Sequence, residues 1–159
     1  MENTYRIIQV EDSKQKSVYT KKILENLPEW FGNKQALDDY VEKVKALPYW
    51  GAFLENDNCV GFFAVKTHYD YTGEIVVCGI LKEYQHIGIG KALYSATEKY
   101  LSQNGCKFVL VKTLSDLVDF EPYVRTRNFY KSIGFEPLIT LTEMWDEANP
   151  CLIMLKTLV

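Results

Sequence analysis

Glu74-Ile75-Val76-Val77-Cys78-Gly79-Ile80-Leu81-Lys82-Glu83-Tyr84-Gln85-His86-Ile87-Gly88-Ile89-Gly90-Lys91 is the stretch on which the reading of this chain turns. Its first part, Glu74 to Leu81, is rich in β-branched and apolar residues and predicts a strand. Two glycines one residue apart follow. Beyond them Ile89, Leu93, Ala96 and Tyr100 return at helical spacing, and Gly105 is well placed to end that helix. The unit is therefore strand, glycine-rich turn, helix. A helix N-terminus presents N–H groups without intrahelical partners and the positive end of the macrodipole. Glycines at 88 and 90 let a phosphate approach the backbone with no Cβ in the way, and Lys91 adds a positive charge. His86 either touches a phosphate there or is a plain exposed loop residue. A GxG pair alone is commonly just a turn, and its position between strand and amphipathic helix is what points to phosphate. Two other phosphate-binding patterns are excluded: GxGxxG fails at Leu93, and no GxxxxGK occurs.

Outward from this unit the period of the apolar residues alternates between helix and strand. Upstream, Tyr5 to Val10 reads as a strand. Asp12 and Gln15 have capping-box spacing and open a helix to about Leu27. A second helix follows Asn33, with Leu37, Tyr40, Val41 and Val44 on one face and Pro48 as its stop. Trp50 to Leu54 and Cys59 to Lys66 flank the turn Glu55-Asn56-Asp57-Asn58 as a hairpin. Downstream, Lys107 to Leu114 is almost continuously apolar, which predicts a strand buried on both faces. A short helix is expected from Arg125 to Ile133, with Gly134 at its end, then strands near Phe135 to Leu141 and Leu152 to Leu158. The order β-α-α-β-β-β-α-β-α-β-β describes an α/β fold with a mixed central β-sheet flanked by helices. With no internal repeat or linker, residues 1–159 are expected to form a single domain.

Composition narrows the function classes. The 159 residues carry a net charge of -3, which argues against a nucleic-acid partner, whose binders usually carry a basic stripe. No apolar run approaches membrane-spanning length, so no membrane is expected as partner. Cys59, Cys78, Cys106 and Cys151 are scattered, with no CxxC pair and no metal-ligand spacing to His68 or His86. They read as small core residues in a reducing compartment, and no metal is expected. Met1-Glu2-Asn3-Thr4-Tyr5-Arg6 lacks a basic region followed by an apolar run, so no signal peptide is expected and the location reads as cytoplasmic.

Gln85-x-x-Gly88-x-Gly90, after a strand and before a helix, resembles motif A of the GNAT acetyltransferases. Arg127-Asn128-Phe129-Tyr130-Lys131-Ser132-Ile133-Gly134-Phe135 resembles that family's later helix and strand, with its FYxxxGF ending. The order of elements is similar throughout. The resemblance implies a GNAT-like fold and acetyl-CoA as acyl donor. It implies that Cys78, Gly79 and Ile80 bond through their backbones to the pantetheine arm and thioester carbonyl. The N–H groups of Gln85, His86, Ile87, Gly88, Ile89, Gly90 and Lys91 would hold the pyrophosphate. Asn128 would contact the CoA arm, and Tyr130 would protonate the leaving thiolate. Glu74-Ile75-Val76-Val77-Cys78-Gly79-Ile80 is also similar to the strand of the family's histone acetyltransferases that carries a glutamate general base, which makes Glu74 the candidate base, directly or through water.

Each residue also has a plainer reading. Tyr130 is otherwise a packing tyrosine beside Phe129, Glu74 a solvated strand-start carboxylate, and Asn128 a helix-surface residue. Trp30, Phe31, Tyr49 and Trp50 are either core or the lining of an acceptor pocket. The acidic, aromatic segment Ser115 to Tyr123 is either an exposed loop or a place for an amine cation. The expected activity is acetyl transfer to a primary amine by direct attack on the thioester, the acceptor being a small molecule or a lysine-type amine. O-acyl or longer-acyl transfer on the same fold, and a non-catalytic CoA-binding sensor, are the alternatives. A homodimer is a further expectation, since subunit pairing through C-terminal strands is common in the family.

Overall fold

The structure is a computed structural model that describes residues 4–158; Met1 to Asn3, part of the stretch read for a signal sequence, and Val159 lie outside the described residues. The elements are β1 (Tyr5–Gln9), α1 (Ser13–Glu25), α2 (Lys34–Lys43), β2 (Tyr49–Leu54), β3 (Cys59–His68), β4 (Thr72–Ile80), α3 (Ile89–Gln103), β5 (Phe108–Leu114), α4 (Glu121–Ser132), β6 (Glu136–Asp146) and β7 (Asn149–Thr157), with short 3-10 turns at Val44–Ala46 and Lys82–Tyr84. This is the order expected from sequence. The strands form one seven-stranded mixed sheet, ordered β1-β2-β3-β4-β5-β7-β6. No described helix is long and apolar enough to cross a membrane.

The chain divides into two compact units, one comprising the chain up to Lys66 with Val76–Tyr100, the other Thr67–Ile75 with Leu101 onward. In the first, Asp12 caps α1 by accepting from the Gln15 N–H at 2.9 Å, and Asn33 caps α2 by accepting from Ala36. Ile23, Leu24 and Leu27 of the α1 region, Leu37 of α2 and Phe53, Phe62 and Val77 of the strands make one apolar core. Tyr49 stacks on Phe62 with ring centroids 5.2 Å apart, and its hydroxyl bonds Thr20 at 3.0 Å. A buried hydroxyl needs such a partner. Tyr49 and Trp50 are thus core, while Trp30 and Phe31 are partly buried against it.

In the second unit β4 pairs in parallel with β5 over Thr72–Ile75, and β5 pairs antiparallel with β7 from Phe108↔Thr157 to Leu114↔Cys151. β5 is not buried on both faces as its apolar run predicts. Val109, Val111 and Thr113 are buried, while Leu110 and Lys112 are half-exposed. The run reads as two-sided because Leu110 is apolar, yet the strand obeys the alternation of a one-sided sheet. Helix α4 begins at Glu121, four residues before the expected Arg125, with Pro122 in its first turn where a missing N–H costs nothing. The buried Arg127 donates from Nη1 to the Leu114 carbonyl at 2.8 Å and pins α4 to the end of β5. β6 is the sheet edge and leaves Leu138, Ile139, Met144 and Trp145 exposed.

Candidate active site

The glycine-rich turn is built by local bonds. The Leu81 N–H donates to Val60 O, the Tyr84 N–H to Leu81 O, and the Gln85 side chain reaches back to Ile80 O at 2.8 Å. Gln85 therefore ties the turn to the end of β4. Its own N–H donates to Lys82 O at 3.3 Å, so the donor row expected from Gln85 to Lys91 has its first member engaged inside the turn. His86 (φ 65°) and Gly88 (φ 94°) both occupy the left-handed region. Gly90, by contrast, lies buried in the first turn of α3 with no such φ. The Ala92 N–H donates to Gly88 O at 3.0 Å and closes the first helical bond. The N–H groups of Ile89, Gly90 and Lys91 precede it, so helix geometry gives them no intrahelical acceptor. Ile89 is 1 % exposed and anchors this end in the core, while His86, Ile87 and Lys91 are exposed.

On β4, Cys78, Gly79 and Ile80 are half-buried. A Cβ at Gly79 would lie 3.1 Å from Leu27 Cδ1 and 3.2 Å from Ile23 Cγ2, so packing against the α1 region requires the glycine. The buried stripe of α3 is Ile89, Leu93, Tyr94, Thr97 and Leu101; the expected Ala96 and Tyr100 are half-buried at its margin. Tyr94 belongs to the stripe and packs edge-on against Phe63.

The second unit holds the expected catalytic residues. Tyr130 is 5 % exposed on α4, its ring 5.6 Å from Phe129 and 5.8 Å from Phe135. Asn128, two residues before it, is exposed. Glu74 is not a solvated carboxylate: its side chain is 13 % exposed, with Oε1 2.8 Å from His68 Nε2 and Oε2 3.6 Å from Lys112 Nζ. His68 and Lys112 were not expected at this site. In sequence His68 enters only where metal-ligand spacing is excluded, and no local spacing links residues 68, 74 and 112. Nearby on β7, burial pushes the Cys151 thiol up, with Lys112 drawing it down and Glu74 up. The acidic segment splits in two: Asp116, Leu117, Asp119 and Phe120 are exposed, whereas Pro122 is buried at the start of α4.

The sequence profile of the acetyltransferase (GNAT) family matches residues 19–135, well over half the chain. The chain belongs to that family of acyltransferases. Solved structures share its fold. A GNAT family acetyltransferase from Elizabethkingia anophelis with acetyl-CoA bound superposes with a TM-score of 0.73 at 14% identity, covering 99% of this chain and 100% of that one. An aminoglycoside 6'-N-acetyltransferase complexed with coenzyme A gives 0.77 at 17% identity, covering 97% of each chain. Ard1 from Thermoplasma volcanium gives 0.75 at 15% identity, covering 98% of each. No curated protein matches the chain in sequence.

Proposed function

We propose that the protein transfers the acetyl group of acetyl-CoA to a primary amine by direct attack on the thioester. The observation that carries this reading is the turn before α3. Gly88 takes a left-handed conformation there, and the N–H groups of Ile89, Gly90 and Lys91 open the helix. That is a cradle for a pyrophosphate. A Cβ at Gly88 would meet nothing closer than the Tyr5 hydroxyl at 3.6 Å, so the glycine serves the backbone conformation and leaves the approach open. His86 and Ile87 belong to the same turn, and Cys78, Gly79 and Ile80 supply strand groups for the pantetheine arm. Asn128 is read as a contact to that arm. The free thiols of Cys59, Cys78, Cys106 and Cys151 support a reducing, cytoplasmic setting. The apolar side chains of edge strand β6 support a homodimer.

A thioester is already activated, so no covalent intermediate is required. The protein must bring a neutral amine to the carbonyl carbon. An alkylamine has a pKa of about 10.4 and is mostly protonated at neutral pH, so a proton must leave toward the Glu74 site. A strand N–H near Gly79 stabilises the oxyanion. Tyr130 gives its proton to the departing thiolate.

The test is thiol release from acetyl-CoA across a panel of primary amines, alongside CoA binding by calorimetry. The reading expects turnover with at least one amine, and a fall in kcat of about a hundredfold in Tyr130→Phe at unchanged CoA affinity. Tight CoA binding with no turnover on any acceptor would instead mean a sensor.

A further inference from the structure

We propose that His68 is the group that takes the proton from the acceptor amine, with Glu74 behind it as its orienting carboxylate. This inference rests on the acetyl-transfer reading above and names the residue at its base end.

Three side chains from three strands meet here: His68 at the end of β3, Glu74 on β4 and Lys112 on β5. Each oxygen of Glu74 faces a nitrogen, and Glu74 is the least exposed of the three, at 13 % against 33 % for both His68 and Lys112. A proton placed on Glu74 would strip Lys112 of its counter-charge. A proton placed on His68 has the opposite effect, because it turns an imidazole–carboxylate hydrogen bond into an imidazolium–carboxylate pair. An ionised carboxylate only accepts, so the Nε2 that faces it carries the hydrogen, and Nδ1 is left as the basic nitrogen. The His68 side chain makes no other hydrogen bond among the described residues.

The turn that follows His68 has a hydrogen-bonded, left-handed shape. Tyr69 (φ 55°) and Asp70 (φ 63°) are successive non-glycine residues in the left-handed region, and the Tyr71 N–H closes the turn on the His68 carbonyl at 3.3 Å. Such backbone persists where its surroundings determine it. Lys107 lies over the Tyr71 ring at 5.8 Å and holds the far side of the turn. The imidazole faces Glu74 on β4; Lys112 on β5 faces that carboxylate, Cys151 on β7 is within electrostatic reach of Lys112 and Glu74, and Tyr69, Asp70 and Tyr71 follow His68 in the turn.

The proton balance closes. The ammonium acceptor gives one proton to Nδ1 of His68, which passes it to water. The freed lone pair forms the C–N bond, the C–S bond breaks, and its electron pair goes to sulfur with a proton from Tyr130. The second proton lost by the acceptor nitrogen restores Tyr130, so one proton is released per turnover.

The experiment measures kcat/KM by thiol release from pH 5.5 to 9 for wild type, His68→Gln, His68→Ala and Glu74→Gln, with unfolding midpoints and CoA affinity measured in parallel. His68→Gln is expected to lose about a hundredfold in kcat/KM at neutral pH with CoA affinity retained. It should also lose the acidic limb of the wild-type pH profile. Added imidazole should restore part of the His68→Ala rate. Wild-type rate and profile in His68→Gln, with Glu74→Gln inactive, would overturn the inference in favour of Glu74 as sole base. So would a slower His68→Gln that keeps the limb with no rescue of His68→Ala, which is the signature of a structural role. A wild type that binds CoA yet acetylates no amine would fail differently, by removing the acetyl-transfer reading itself.

Discussion

The turn from Gln85 to Lys91 and the cluster of His68, Glu74 and Lys112 are built on opposite plans. The turn is backbone: seven consecutive residues, one left-handed glycine, and N–H groups whose direction the helix sets. The cluster is side chain: three residues from three strands, joined by contacts of 2.8 and 3.6 Å. The first is suited to a phosphate-bearing ligand, because peptide N–H groups bind phosphate whatever the neighbouring side chains are. The second is suited to the variable partner, because one substitution changes its charge and proton chemistry without disturbing the sheet. On the proposed function, donor recognition is a property of chain path, and acceptor chemistry is a property of side-chain convergence.

That contrast can be tested from both ends. The largest effect is expected from Gly88→Val. A β-branched residue at φ 94° is strained although the space is open, with only the Tyr5 hydroxyl at 3.6 Å. CoA Kd should rise at least about tenfold and stability fall by about 1–2 kcal/mol. Gly88→Asn should recover part of both, since asparagine tolerates the left-handed region. Calorimetry and thermal unfolding read the result, and unchanged CoA affinity in Gly88→Val would remove the backbone account of the turn.

A smaller effect is expected at the cluster from Lys112→Met. Lys112 is one-third exposed, so water screens its pairing with Glu74. The rate should fall about threefold, in line with the modest worth of such pairs. CoA affinity should stay at the wild-type value, because Lys112 pairs with Glu74 and, among the described residues, with no part of the glycine-rich turn. A wild-type rate in Lys112→Met, read by thiol release, would contradict the arrangement.

The smallest effect lies outside both regions and serves as their control. Burial pushes the Cys59 thiol up to about 12, and its S–H donates to Gly61 O at 3.3 Å. The folded value lies above the ordinary value of 9.0, so the unfolded chain loses this proton first. The stability contributed is full below pH 9, fades as pH rises, and is lost on passing the folded value. Cys59→Ala should therefore show a shallower decline of unfolding midpoint above pH 9 than wild type, with CoA affinity at neutral pH unchanged. Parallel declines would show that other buried hydroxyls, Tyr49 and Tyr94, carry the alkaline transition.

The amino-acid sequence alone determined the order of elements, since period-2 and period-3.6 patterns report which face of each segment is apolar. It determined the cap at Asp12 and the turn at Gly88, because each depends on residues within four positions of one another, whereas the cap at Asn33 came from the structure. It misjudged β5, where an apolar Leu110 conceals a one-sided strand, and it started α4 late, because an acidic and aromatic run reads equally well as a loop. Only the tertiary structure decided that Tyr49 and Trp50 are core, that Arg127 is spent on the Leu114 carbonyl, and that Glu74 has a histidine and a lysine as neighbours. The reason is physical. Residues 68, 74 and 112 meet because β4 lies in register with β5 and the turn after β3 returns the chain beside them. Strand pairing of that kind leaves no periodicity in the chain to read.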